Sequence, residues 1–148
     1  MELFKAMGIS ASGLQAQRVM LNVISTNIAN VHTTRTEEGG PYRRRQAIFS
    51  PSSPSEKFPE RFPDLLASMM GKEPTGVKAE VVEDNRMGDV IYDPSHPDAD
   101  ESGLVHLPNV NMVEEMMGLL GAMRSYEANV TAFNTAKQMA MKSLEIGR

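Results

Sequence analysis

The 148-residue sequence contains no cysteine and no tryptophan. Without thiols, disulfide frameworks, Cys-ligated zinc and thiol nucleophiles are excluded. Aromatics make up only 5% of the chain, so a large aromatic core is not expected. No apolar run approaches the ~20 residues needed to span a bilayer, and direct membrane insertion is not expected. The opening stretch Met1–Ser10 has neither a basic region nor a continuous apolar one, so a cleaved secretory signal is not expected either. Proline is missing from both ends: all nine lie between Pro41 and Pro108. That leaves both ends free to form long helices.

The organisation read from this pattern is mainly α with a small β insert, in three segments. Residues 1–31 form an N-terminal helix, residues 32–108 a middle segment of short strands and Pro-rich loops, and residues 109–148 a C-terminal helix. The net charge of -4 is uneven. The two ends are close to neutral by count and the middle carries roughly -5, which favours an exposed middle and packed ends.

The first helix is expected from about Leu3 to Ile28. Leu3, Met7, Leu14, Leu21, Ile24, Ile28 and Val31 follow a 3-4 spacing interrupted at Ser10 and Gln17. Gly8 and Gly13 each weaken it by roughly 1 kcal/mol relative to Ala, so its start is expected to need a partner for order. Ser25, Asn27 and Asn30 mark its end. The second helix starts near Met112, where Asn111 and Glu114 stand in the register of a loose capping box. Its seam reads Met112, Met116, Leu119, Met123, Tyr126, Val130, Phe133, Lys137, Ala140, Leu144, a heptad pattern broken only by Lys137. Lys142 and Arg148 near its end complement the helix dipole. About 37 residues give a rod of roughly 55 Å. Such a rod is too long to bury itself in so small a chain, so its seam requires the first helix, another subunit, or both. The expected arrangement is a coiled-coil pairing of the two terminal helices. Val19, Met20 and Val23, and Val113, Met117 and Leu120, lie off the main stripes and supply extra apolar faces.

In the middle, Tyr42–Phe49, Val77–Val82 and Asp89–Tyr92 carry strand signals, and residues 84–88 read as the hairpin connection between the last two. Ser50–Gly76 and Asp93–Gly103 read as loops, with one helical turn at Leu65–Met70.

The chemical motifs are weak. Asp98, Asp100 and Ser102 with Gly103 resemble half a calcium loop, but Asn109 stands where a bidentate Glu is needed, and a solvated acidic loop is favoured. His32, His96 and His106 share no metal spacing. Arg43, Arg44 and Arg45 form the densest basic patch, too small in an acidic chain to mark nucleic-acid binding. On a strand, Arg43 and Arg45 would share one face and Arg44 the other; acids of a neighbouring subunit, or solvent, are the expected partners. No nucleophile elbow, phosphate loop or catalytic carboxylate pair is present. No enzymatic activity, cofactor or metal is expected. On pattern alone the chain is a helical assembly protein, and a standalone coiled-coil adaptor or dimerisation protein satisfies the pattern as well.

Specific strings go further. ISASGL at 9–14, Gln17 with Arg18, and NVISTNIAN at 22–30 resemble the N-terminal signature of flagellar rod and hook proteins. TTRTEEGGPYRRR at 33–45 narrows the resemblance to proximal-rod members. PNVNMVEEMM at 108–117, RSYEANV at 124–130 and the terminal stretch from Ala140 resemble the C-terminal motif.

The resemblance implies a structural subunit of the bacterial flagellar basal body. Such a subunit is exported through the type III apparatus without a cleaved signal and polymerises into a helical, periplasmic tube. That tube links the membrane ring to the distal rod and transmits torque. Its implied partners are other rod subunits, further copies of itself, ring–rod adaptor proteins and the export apparatus. The expected assembly interface comprises Leu14, Leu21, Ile24, Asn27, Ile28, Asn30, Met116, Leu119, Met123, Tyr126, Val130, Phe133 and Leu144. Asn27, Ala29 and Asn30 are expected to turn and pack the end of the first helix, with C-capping an equal alternative for the two asparagines. Tyr126, Glu127 and Asn129 are the expected polar and aromatic contacts of the second helix.

Overall fold

A computed structural model describes residues 2–52 and 76–146. The helical turn expected at Leu65–Met70 and most of the Pro-rich loop fall outside the described residues. The element order is α1 (Glu2–Ala29), β1 (Arg45–Pro51), β2 (Val77–Glu83), β3 (Val90–Tyr92), β4 (Leu104–His106) and α2 (Met112–Ile146). The chain is thus mainly α with a small β insert, and both helices begin and end within two residues of their expected limits. Asn111 caps α2: its Oδ1 accepts from the amides of Val113 at 3.0 Å and Glu114 at 3.4 Å. This satisfies amides that the first turn leaves without helical partners. Among the described residues the last turn of α2 contains no basic side chain, so Lys142 lies just short of the expected dipole position, and Arg148 lies outside the described residues.

The strand pairing differs from expectation. β2 and β3 do not form a hairpin; β1 pairs with β2, and β3 pairs with β4. Bonds from Ser52 N to Gly76 O (2.8 Å) and from Asp84 N to Arg44 O (2.8 Å) bracket the β1–β2 ribbon. β3 and β4 are antiparallel, with Ile91 opposite Val105. The strand β4 is not among the expected strands, because three residues are too few for a period-2 signal. Residues 84–88 failed as a hairpin turn because Gly88 is used otherwise. A Cβ there would collide with the Leu107 carbonyl oxygen, so glycine permits a close backbone crossing between residues 88 and 107–109.

The residues cluster into two compact units. The first holds the described parts of residues 1–18, 49–80 and 124–148. Its buried side chains include Ala16 and Ala136. Gly13 meets Asn129 there: a Cβ on Gly13 would lie 3.1 Å from Asn129 Nδ2. The glycine read as a helix weakener is therefore a contact point. Ser12 Oγ accepts from Val77 N at 3.0 Å and donates to Ile9 O at 2.7 Å, tying the start of β2 to α1.

The second unit holds residues 19–48 and 81–123. Val23, Ile24, Tyr42, Val105 and Ala122 are buried in it, together with the polar Asn27 and Glu115. The loop after α1 closes on itself, with Thr36 N bonded to Gly40 O (2.9 Å) and Tyr42 N to Thr33 O (3.0 Å). Gly39 and Gly40 make this turn in the left-handed region, at φ 88° and 78°. The closure returns Tyr42 to the end of α1.

Candidate assembly surface

The organising feature of the second unit is a buried polar clamp. Asn27 Nδ2 donates to Arg45 O at 2.8 Å and to Glu115 Oε2 at 3.0 Å. Its Oδ1 accepts from the Tyr42 hydroxyl at 3.0 Å and from Arg45 N at 3.0 Å. The other carboxylate oxygen of Glu115 takes the Arg44 Nε donor at 2.6 Å. Arg44 N in turn donates to Asn109 Oδ1 at 2.7 Å, and Asn109 Nδ2 donates to Asp84 O at 3.1 Å. The last turn of α1, the entry to β1 and the first turn of α2 are thereby joined through groups that satisfy one another. Burial without these partners would cost each polar group several kcal/mol. Burial also pushes the Tyr42 hydroxyl above its ordinary pKa, against the opposing pull of Arg45.

The clamp fixes which side of α2 faces inward. In this unit Glu115 and Ala122 are buried, Leu119 is half-buried, and Gly118 approaches Ile24. In the first unit Ala136 is buried, while Tyr126, Asn129, Val130, Phe133 and Ala140 are half-buried. The inward stripe therefore follows Glu115, Ala122, Asn129 and Ala136 at seven-residue spacing, flanked by Leu119, Tyr126, Phe133 and Ala140. Of the expected seam, Leu119, Tyr126, Val130, Phe133 and Ala140 lie on or beside this stripe and are half-buried, whereas Met112 at its start is exposed. Met116, Met123 and Lys137 are exposed, and Leu144 is 76% exposed. The reason is steric, because close helix packing favours small side chains at the point of approach. A ranking by apolarity chooses methionine over alanine, glycine or glutamate.

Of the other expected interface residues, Leu14, Leu21, Ile28 and Asn30 are half-buried, and Ile24 and Asn27 are buried within their own unit. Asn30 N and Nδ2 both bond to Thr26 O, at 3.1 and 2.9 Å. Among the described residues only glycines have positive φ, so neither Asn27 nor Asn30 makes a left-handed cap. The arginine run also acts within the chain. Arg44 serves the clamp, Arg45 pairs with Glu83 at 3.0 Å, and Arg43 bonds Asn85 Oδ1 at 2.7 Å. The acidic loop is likewise engaged. Asp98 accepts from Thr34 (2.7 Å), and Asp100 Oδ1 accepts from the amides of Ser102 (2.8 Å) and Leu104 (2.9 Å). Among the described residues no three His, Cys, Asp or Glu groups converge as for a metal ion.

Glu115, Tyr42 and Arg44 were not singled out from the sequence as a site. A single glutamate standing in heptad register with Ala122, Asn129 and Ala136 was the available signal. What the clamp leaves outward is apolar: Val113, Met117 and Leu120 are 66%, 68% and 59% exposed. Their 3-4 spacing places them on one face of α2, turned away from Glu115. Val23, also read as an extra apolar face, is instead core.

Known proteins give this arrangement a lineage. A family model described as "Flagella basal body rod protein" matches residues 7–35, and one described as "Flagellar basal body rod FlgEFG protein C-terminal" matches residues 101–146. The chain is 45% identical to the flagellar basal-body rod protein FlgC of Borreliella burgdorferi, covering 99% of this chain and 98% of the relative. It is 42% identical to FlgC of Bacillus subtilis, with full coverage of both. It is 36% identical to FlgC of Escherichia coli O157:H7, again over both full lengths. The clamp and the outward apolar face of α2 are therefore features of a chain that belongs to the FlgC family of flagellar basal-body rod proteins.

Proposed function

We propose that the chain is a structural, non-enzymatic subunit of the flagellar basal-body rod. It packs against other rod components and further copies of itself through the outer faces of its terminal helices. Its lateral contacts do not close into a ring, so that repetition of one contact generates a helical tube. In this reading the tube lies in the periplasm between the membrane ring and the distal rod, transmits torque, and meets ring–rod adaptor proteins. The subunit reaches it through the flagellar export apparatus. Pairing of the terminal helices as a coiled coil belongs to the same proposal.

The observation that carries the proposal is the outward row Val113, Met117 and Leu120 on a helix already anchored from its other side. Each large apolar side chain taken out of water contributes about 1.5–3 kcal/mol, so a few such residues per contact suffice when each subunit has many contacts. The test is Leu120→Asp and Met117→Asp, made separately in a strain lacking the native copy. Because both sites are exposed, the isolated subunit should keep its stability to within about 0.5 kcal/mol. Export should continue, while rod assembly and swimming are lost. Wild-type swimming by both variants would remove this face from the interface.

A further inference from the structure

We infer that Met116 and Met117 form an oxidant-sensitive site of the free subunit, one that takes an oxygen atom from a peroxide and becomes shielded once the subunit is built into the rod. The shielding rests on the assembly reading above; the oxidation does not. With no cysteine in the chain, no thiol competes for the oxidant. Met116 is 55% exposed and Met117 68%, and Met112 and Met123 on the same stretch of α2 are also exposed. The pair is interleaved with Val113 and Leu120, so its sulfur atoms lie within the apolar surface that assembly uses.

The step is a two-electron oxygen transfer. A thioether lone pair attacks one peroxide oxygen, the O–O bond breaks, and an S–O bond forms. Sulfur is oxidised, and hydrogen peroxide leaves as water. The sulfoxide is polar, and methionine sulfoxide reductase supplied with a dithiol returns it to the thioether, the oxygen leaving as water while the dithiol becomes a disulfide. A polar group at this position must lose its water to enter an apolar contact, which opposes docking. Oxidised subunits are thereby excluded before incorporation, and reduction returns them to the assembling pool.

The test uses the full chain with Met87→Leu and Met139→Leu, because Met87 is 94% and Met139 57% exposed, each more than Met116, and both would otherwise compete for oxidant. Purified chain is treated with hydrogen peroxide and each methionine is followed by peptide mass spectrometry. Sulfoxide at Met116 and Met117 should form about tenfold faster than at the half-buried Met20, and reductase should reverse it. In isolated basal bodies the rate at the pair should fall by about the same factor. Equal rates at Met117 and Met20 in the free chain would overturn the site. Undiminished oxidation in basal bodies would overturn the shielding. The Met116→Gln/Met117→Gln double variant, polar and of similar length, should lose swimming while the corresponding Leu double variant retains it. Swimming by the Gln variant would overturn the consequence for assembly. A chain absent from basal bodies would sink the assembly reading and the shielding with it, while the free-chain rates would still judge the oxidation site separately.

Discussion

The two units of this chain are held by different means. In the second, Asn27 and Glu115 are exposed by only 1% and 2%, and both find partners on the same chain. In the first, the buried side chains described are the small Ala16 and Ala136, and Gln17 Oε1 is buried with no hydrogen-bond partner among the described residues. A mutually satisfied polar cluster tolerates little variation in geometry, so the second unit is specified by direction as well as by volume. Contacts through alanine and glycine specify approach distance and little else. The comparison teaches that hydrogen-bond direction sets the start of α2 in the second unit, whereas the described contacts of the first unit set approach distance.

The largest expected effect comes from breaking the clamp. Glu115→Ala leaves the Arg44 guanidinium and the Asn27 amide without their buried partner. The expected loss is about 3–5 kcal/mol in chemical denaturation, with amide exchange at the start of α2 accelerated first. Slow exchange in that turn despite the substitution would mean that the clamp does not orient the helix.

A smaller effect is expected in the first unit. A Cβ on Gly76 would lie 2.5 Å from Ser12 Oγ, so Gly76→Ala must displace the serine and its bond to Val77. The expected cost is about 1–3 kcal/mol. Exchange should rise at Val77 while amides of the second unit keep their protection. Equal loosening of both units would erase the distinction between them.

The smallest effect sharpens the comparison through pH. The Tyr42 pKa is raised above 10.0 in the folded chain, chiefly by burial. The stability this contributes is fully present below pH 10 and is lost as pH rises through the folded-state value. Tyr42→Phe removes one hydrogen bond to Asn27, costing about 0.5–1.5 kcal/mol near neutrality, and should flatten that alkaline loss. Denaturation midpoints measured on both proteins from pH 7 to 11 provide the check.

Much of the fold was legible in the sequence. The absence of proline from the ends and the 3-4 apolar spacing located α1 and α2, and Asn111 marked the start of α2 through its capping chemistry. The strings around Asn27 and Glu115 carried the family resemblance. The strand partners were not legible. Val77–Glu83 and Val90–Tyr92 adjoin in sequence, yet they pair with β1 and β4 respectively, and the close passage of Gly88 by the Leu107 carbonyl has no local signature. The clamp was equally hidden, because Arg43, Arg44 and Arg45 look alike in sequence and only Arg44 meets Glu115.

The sequence by itself determined that two long helices flank a small β insert in a rod-family chain, because helix periodicity, capping and proline placement act over a few residues. Only the tertiary structure decided which side of α2 is inside. Apolarity favoured the methionine row, whereas close approach of the chain at Ile24 and Gly118, and the directional bonds of Asn27 and Glu115, turned alanine, glycine and a carboxylate inward. Packing distance and hydrogen-bond direction arise between segments far apart in the chain, and no local pattern encodes them.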